Sequence, residues 1–131
     1  MKLIKRFVAT GAALAMAVSM MSMVASANYA SFTKNISGYN ATCSAQTSGN
    51  YLYVSTSIPS NSVATTVSAS ATYKHNGAYV PVGNGYGGPG GCTTSVSKPS
   101  GSTWDSLYTT HGVRNSTVSI SNAQWKNKGL I

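Results

Sequence analysis

Apolar and polar residues alternate along most of the chain that follows residue 27. In residues 63–74, Val, Thr, Val, Ala, Ala and Tyr occupy the odd positions, and Ala, Thr, Ser, Ser, Thr and Lys occupy the even ones. Because successive side chains of an extended segment point to opposite faces, such a run predicts a β-strand with one buried face. Strands are predicted in this way at residues 30–36, 39–46, 51–58, 63–74, 79–82, 92–98 and 116–122.

The segments between these runs carry turn signals. Asn76-Gly77 lies between two alternating runs, and both residues accept positive φ, so the pair predicts a tight β-hairpin. Residues 59–62 and 98–102 predict longer connections. No window has the spacing of an amphipathic helix, and residues 104–108 predict one turn at most. These patterns predict an all-β fold, a small antiparallel β-sandwich of about 6–8 strands, with a small barrel as the alternative.

The first 27 residues follow a different pattern. A basic start at residues 2–6 precedes an apolar run at residues 7–24, and Ala-Ser-Ala follows at residues 25–27. This order is typical of a secretory signal peptide with its cleavage site. An uncleaved membrane anchor is the alternative, because the apolar run approaches the length of a membrane span. We favour cleavage, so residues 28–131 are expected to form one exported domain.

Cys43 and Cys92 are the two cysteines of the chain, and an even number in an exported domain predicts a disulfide. The inward positions are mostly Ala, Thr and Val, so the predicted core is thin. Closing a loop of about 50 residues would contribute about 4 kcal/mol to stability. Two free thiols or a metal site are the alternatives. The spacing of the cysteines with His75 and His111 matches no metal-binding motif, so no metal is predicted.

The run GNGYGGPGGC at residues 83–92 is rich in glycine. A phosphate-binding glycine loop is followed by a helix, whereas the residues after Cys92 alternate as a strand does. We therefore expect residues 83–92 to form a wide surface loop, which the disulfide at Cys92 holds at one end.

Six basic side chains and one acidic side chain, Asp105, give residues 28–131 a net charge of +5. A basic exported protein with almost no acids suits an anionic partner, although the charge would also serve solubility alone. General acid–base hydrolysis usually needs two carboxylates, and no serine lies in a G-x-S-x-G motif. The sequence therefore predicts no enzyme, no catalytic residue and no cofactor, and Asp105 is expected in a turn or cap.

Tyrosine and tryptophan are frequent, and both favour surfaces that bind a partner while staying wet. Tyr51 and Tyr53 occupy the polar positions of an alternating run, so both should point outward, where they either bind a ligand or cover the second face of the sheet. Trp125 lies in a basic-aromatic stretch, and a core position is its alternative. The predicted ligand contacts are Tyr51, Tyr53, Tyr86, Trp104, Tyr108, His111, Arg114, Trp125, Lys126 and Lys128.

Residues 106–118, SLYTTHGVRNSTV, resemble a stretch of the small exported bacteriocins of the septum-blocking lactococcin type. The shared order is serine–tyrosine, histidine–glycine, a basic residue and serine–threonine–valine, within basic, leader-bearing, tyrosine-rich chains. This chain differs in its longer exported part, its two cysteines and its C-terminal end. The resemblance implies a β-sandwich that binds a cell-wall precursor at the bacterial surface.

Our first hypothesis is a secreted, cationic, non-enzymatic β-protein of a Gram-positive bacterium that binds an anionic envelope component, as a bacteriocin-like antibacterial would. Neither a nucleic-acid partner nor a membrane span in the mature form is expected. One alternative is an adhesive or carbohydrate-binding module, in which Trp104, Tyr86 and Trp125 stack on sugar rings. Another is an enzyme inhibitor that presents the glycine loop. Salt should weaken the first kind of binding and spare the carbohydrate-binding kind.

Overall fold

The computed structural model describes residues 28–131, and the signal-peptide prediction concerns residues 1–27, which lie outside this part. Residues 28–131 form eight strands and one short helix. These are β1 (Asn28–Ile36), β2 (Tyr39–Ser48), β3 (Tyr51–Ser57), β4 (Ala64–His75), β5 (Ala78–Pro89), β6 (Gly91–Ser97), β7 (Thr103–Val113), β8 (Ser116–Ile120) and helix α1 (Asn122–Asn127).

The strands make two antiparallel sheets of four strands each. The first sheet has the order β1-β2-β3-β6, and the second has the order β5-β4-β7-β8. The inward residues of both sheets form one buried apolar cluster that includes Leu52 and Val54 of β3, Val67 of β4 and Leu107 of β7. The predicted all-β fold is therefore confirmed, and the two sheets pack against each other as in a sandwich.

The hairpin at Asn76-Gly77 forms as predicted. Asn76 has a φ of 51° and Gly77 a φ of 80°, and the flanking residues His75 and Ala78 pair across the turn. Positive φ at both central residues matches the right-handed twist of the two strands, which is why this dipeptide makes the turn tight. The turn joins β4 to β5 and fixes the register of that pair.

The prediction of a wide loop at residues 83–92 is wrong. Gly83, Gly85 and Gly87 belong to β5 and pair with β4 along its length. A Cβ added to Gly83 would approach the Ala69 carbonyl oxygen to 3.3 Å, so the glycines allow the two backbones to pair closely. The chain reverses only at Gly90, whose φ is 77°. An inhibitor that presents a projecting glycine loop therefore loses its structural basis.

Residues 103–113 also differ from the prediction, which allowed one turn at most for residues 104–108. They form β7, a central strand that pairs with β4 on one side and with β8 on the other. Leu107, Thr109 and His111 point inward and are buried, and Asp105 lies within the strand rather than in a turn. The mixed polarity of the inward positions hides the alternation that a strand of this kind would otherwise show.

The expectation that residues 28–131 contain no helix is wrong at their C-terminal end. The Ser121 side chain accepts a hydrogen bond from the Gln124 backbone N–H, and the Gln124 side chain accepts one from the Ser121 N–H, which is a capping box. The sequence signal was Ser-x-x-Gln after a strand. Trp125 of this helix is 0% exposed and meets the Phe32 ring of β1 edge-on, with ring centroids 5.2 Å apart.

The predicted disulfide between Cys43 and Cys92 is wrong, because both cysteines are free and buried. Cys43 of β2 and Cys92 of β6 are both register partners of Thr56, which lies on β3 between them. Two strand spacings separate their Cα atoms by about 10 Å. A disulfide needs about 4.4–6.8 Å. The inward side chain of Thr56 therefore stands between the two sulfurs.

Burial makes both thiols poor nucleophiles. It raises the pKa of the Cys43 thiol to about 12, and the positive charge of Lys34 opposes this rise. Burial also raises the pKa of Cys92, whereas hydrogen bonds with Thr65 and with the backbone of Thr56 and Gly88 lower it. The thiolate is the reactive form, so neither cysteine is expected to react while the chain is folded.

Both cysteines should therefore behave as free thiols that are protected by the fold. A thiol reagent should titrate no thiol in the native protein and both thiols in denaturant, because each sulfur is buried in the core. The free energy of unfolding in urea should be the same with and without reductant. A Cys43→Ala/Cys92→Ala variant serves as the control and should titrate no thiol in either state. A lower unfolding free energy in reductant would contradict this prediction.

Candidate functional site

A chain of buried polar groups joins the two sheets through His111. Thr56 on β3 lies 2.8 Å from His111 Nδ1, and Thr109 on β7 lies 2.8 Å from His111 Nε2. Trp125 Nε1 donates to Thr109 Oγ1 at 3.2 Å. At the other end, Thr56 Oγ1 donates to the Thr66 carbonyl of β4 at 2.9 Å. The ring of His111 is therefore bonded to both sheets and, through Thr109, to helix α1.

This chain of bonds determines the tautomer of His111. The single hydroxyl proton of Thr56 goes to the Thr66 carbonyl, which can only accept. His111 Nδ1 must then carry a proton and donate to Thr56 Oγ1. The Thr109 hydroxyl donates to the unprotonated Nε2 and accepts from Trp125. Every bond in the chain is satisfied when the imidazole is neutral and the proton sits on Nδ1.

Burial holds His111 in this neutral form. The side chain is 0% exposed, and burial lowers its pKa from 6.5 to about 4, with a smaller opposing contribution from a hydrogen bond to the Ser55 backbone. Protonation would also place a second proton on Nε2, where the Thr109 hydroxyl donates. His111 and Trp125 are therefore core residues, and neither reaches the surface as a predicted ligand contact would.

Four of the six cations in residues 28–131 lie along one edge of the molecule, which we call the cationic edge and define as the half-buried Lys34 and the exposed Arg114, Lys126 and Lys128. Lys34 is on β1, Arg114 is in the turn between β7 and β8, and the two lysines are on or beside α1. β1 and β8 are edge strands of their sheets, and α1 contacts β1 through the Trp125 and Phe32 rings.

Aromatic rings lie under three of these cations. The amino groups of Lys34 and Lys128 are 5.7 and 4.9 Å from the centroid of the same ring, Phe32. The guanidinium of Arg114 lies 5.4 Å from the Tyr39 ring and donates to the Tyr39 hydroxyl at 3.3 Å. Such contacts hold cations in place without neutralising them. The positive charge of the cationic edge therefore remains available to a partner.

The acidic side chain of residues 28–131, Asp105, does not neutralise this edge. Its carboxylate accepts a hydrogen bond from Thr72 Oγ1 at 3.4 Å, between β4 and β7. The remaining cations also lie apart, since Lys98 donates to the Ser102 carbonyl at 2.7 Å and Lys74 lies over Tyr79. The structure therefore brings together three of the predicted contacts, Arg114, Lys126 and Lys128, and adds Lys34, which the sequence reasoning missed.

The predicted aromatic contacts are dispersed over the molecule. Trp104 is half-buried and packs edge-on against Tyr73. Tyr86 lies on the edge strand β5 and is 64% exposed. Tyr108 lies on the outer face of β7 and is 48% exposed. The sugar-stacking set of the carbohydrate-binding hypothesis is Trp104, Tyr86 and Trp125, which lie on three different elements. Trp125 is 0% exposed, so the three rings do not present one surface.

Tyr51 and Tyr53 do form a local group on the outer face of the first sheet. Their rings stack with centroids 5.9 Å apart and an angle of 23° between their planes. Gln46 of β2 pairs with Tyr53 on one side and with Tyr29 of β1 on the other. Sequence reasoning identified Tyr51 and Tyr53 as outward residues, but it missed Tyr29 and Gln46, because only the register places them beside the pair.

In the part of the chain that the structure describes, no three His, Cys, Asp or Glu side chains lie close enough to hold a metal ion. Nor does any helix within residues 28–131 have the length and apolar character to cross a membrane.

Comparison with protein-family models, curated proteins and solved structures finds no match to this chain.

The neutral state of His111 predicts a pH-dependent stability. The unfolded imidazole takes up a proton near pH 6.5, whereas the folded one resists protonation down to about pH 4. The unfolded state therefore binds more protons in this interval, and the free energy of unfolding should fall as the pH drops from 6.5 to about 4. The expected loss is on the order of 3 kcal/mol. Urea unfolding at several pH values across this interval measures it.

The two histidines allow a matched control. A His75→Gln variant should keep the pH dependence, and a His111→Gln variant should lose most of it, because only His111 is fully buried. A free energy of unfolding that stays constant across the interval, or a pH dependence that disappears in His75→Gln, would contradict the assignment to His111.

Proposed function

We propose that this protein is an exported, cationic, non-enzymatic β-protein that binds an anionic component of the bacterial envelope, and that it acts on competing bacteria as a bacteriocin does. The observation that carries this proposal is the cationic edge. Four of the six basic residues in residues 28–131 lie along β1, α1 and the β7–β8 turn, and the single acid lies elsewhere. The leader-like residues 1–27 and the resemblance of residues 106–118 to the lactococcin-type bacteriocins support the same reading.

The edge suits a polyanion better than a single small anion. Its cations extend from the β7–β8 turn to the C-terminal end of α1, so a ligand with repeated negative charges contacts several of them at once. Lys34 and Lys128 share the Phe32 ring, which offers an apolar surface between two ammonium groups. Wall polymers and wall precursors that carry phosphate groups have this charge pattern, and Lys is a common point-charge partner of phosphate.

Binding by this edge requires no catalytic group. The buried histidine is neutral and fully hydrogen-bonded, and both thiols are protonated in the core. Electrostatic attraction brings the protein to a negatively charged surface, where the lysines of the cationic edge contact the anionic groups. Salt weakens this attraction, because the Debye screening length is about 10 Å at 0.1 M ionic strength. The proposed antibacterial effect is therefore occupation of an envelope component rather than its chemical modification.

Replacing the two lysines that share the Phe32 ring tests the site. A Lys34→Gln/Lys128→Gln variant should bind purified Gram-positive cell walls about tenfold more weakly at low salt, because it removes the centre of the cationic edge. Co-sedimentation with walls at about 20 mM and about 500 mM NaCl measures the affinity and its salt dependence. Inhibition of growth of Gram-positive cells should fall in parallel.

A Lys74→Gln/Lys98→Gln variant is the matched control, because it loses the same charge at positions away from the edge. It should retain most of the wall binding. An equal loss in both variants would show that net charge alone attracts the protein, and an absence of binding at low salt would overturn the proposed function.

A further inference from the structure

The outer face of the first sheet carries a buried amide group that has no hydrogen-bond partner. Gln46 is 0% exposed, and neither its Oε1 nor its Nε2 bonds to any described residue. Ser44 and Ser55, which lie in the next row of the same face, bond to each other. Buried polar groups are nearly always paired, and an apolar side chain of similar size would avoid the cost of an unpaired amide. An unpaired amide at this position therefore points to a partner that is not part of the chain.

Two tyrosines flank this amide, and a third stacks on one of them. Tyr29 and Tyr53 are the register partners of Gln46 on its two sides, and Tyr51 stacks on Tyr53 with an angle of 23° between the rings. Tyr29 and Tyr51 are 41% and 50% exposed. Aromatic faces of this kind pack against flat apolar groups, while the hydroxyls at their tips remain in water. The cluster thus combines ring faces with one donor and one acceptor at its centre.

This face of the sheet carries no charge. Its outward positions hold only Tyr, Ser, Thr, Asn, Gln and Gly, by the registers of β1 with β2, β2 with β3 and β3 with β6. Ser48 and Ser97 flank Tyr51, and Ser95 pairs with Tyr53. A surface of hydroxyls and aromatic rings without charge complements a neutral sugar polymer. A peptide strand is a poorer match, because β2 and β3 already pair on both sides and offer it no free backbone edge.

We propose that Tyr29, Tyr51, Tyr53 and Gln46 form a binding site for a glycan that carries acetamido groups. Gln46 is covered in the unbound protein, so binding requires that the neighbouring Tyr29 or Tyr53 side chain turns aside. The Gln46 amide then pairs with the N–H and C=O of the acetamido group, whose methyl and sugar ring pack on the tyrosines. This site is separate from the cationic edge, and its occupant is a neutral chain rather than a polyanion. A β-linked N-acetylhexosamine oligosaccharide is the simplest ligand of this class.

Titration calorimetry with two tetrasaccharides tests the site on protein produced from the full 131-residue chain. Tetra-N-acetylchitotetraose and cellotetraose share their linkage and differ in the acetamido groups. The first should bind, with an affinity that high salt leaves unchanged, because no charge is involved. The second should bind at least about tenfold more weakly, because it leaves the Gln46 amide unpaired. Equal affinities for the two sugars, or no binding of the first, would overturn the proposal.

Variants separate binding from folding. Tyr51→Ala and Gln46→Leu should each weaken binding of the acetylated sugar about tenfold. The Gln46→Leu variant should unfold at the same or a higher urea concentration than the parent, because it removes an unpaired amide. Tyr79→Ala is the control, since Tyr79 is 60% exposed but lies on β5 of the other sheet. An equal loss in Tyr79→Ala would show that the sugar does not bind specifically at this face. A Gln46→Leu variant that is less stable and binds normally would show that the amide is structural.

The glycan site and the cationic edge can be tested independently of each other. The Lys34→Gln/Lys128→Gln variant should bind the acetylated tetrasaccharide as the parent does, because neither lysine lies on this outer face. A loss of sugar binding in that variant would overturn the separate-site proposal, whatever its effect on cell-wall binding.

Discussion

The hydrogen bonds between Thr56, His111 and Thr109 fix how the two sheets meet, and much of the structure follows from them. They link β3 to β7 across a core in which Ala and Cys stand among the larger Val, Ile and Leu side chains. Thr109 extends the link to Trp125, which anchors α1 against β1. Because directional bonds require one geometry, a polar chain of this kind specifies a single packing arrangement where apolar contacts alone would allow several.

The same Thr56 explains why the two cysteines stay apart. Its strand lies between β2 and β6, so Cys43 and Cys92 flank it on the inner face. Joining them would require β3 to leave the sheet and the bond between Thr56 and His111 to break. The rigidity that the sequence assigned to a covalent cross-link is supplied instead by hydrogen bonds and by Trp125 in the core. The domain is thus held together without help from its sulfur atoms.

Interior and surface have different roles in this molecule. The buried side chains include His111, both cysteines and Trp125, which contribute to the packing of the core. Its cations and most of its tyrosines remain outside, on two surfaces of different character. The cationic edge is charged and lies beside α1, whereas the face around Gln46 is uncharged and lies on the first sheet. Under the two proposals, one small domain has two separate binding surfaces, one for a polyanion and one for a neutral glycan.

Local patterns in the sequence predicted local features well. The alternation of apolar and polar residues predicted most of the strands, and Asn76-Gly77 predicted the hairpin between β4 and β5. Both features depend on residues that are close together in the sequence. The basic residues Arg114, Lys126 and Lys128 stay predicted contacts, and the structure places all three on the cationic edge. The glycine run and the C-terminal helix were misread. Glycine pairs in a sheet through its backbone without leaving an alternating pattern, and a helix of six residues is too short to show a period.

Strand register, by contrast, was decided only in the tertiary structure. Register sets which residues from distant segments share a row, and no local pattern carries that information. It separated Cys43 from Cys92, placed Gln46 between Tyr29 and Tyr53, and turned His111 toward Thr56. The sequence by itself determined an all-β chain with a surplus of positive charge. The pairing of its strands decided which side chains became core and which became candidate sites.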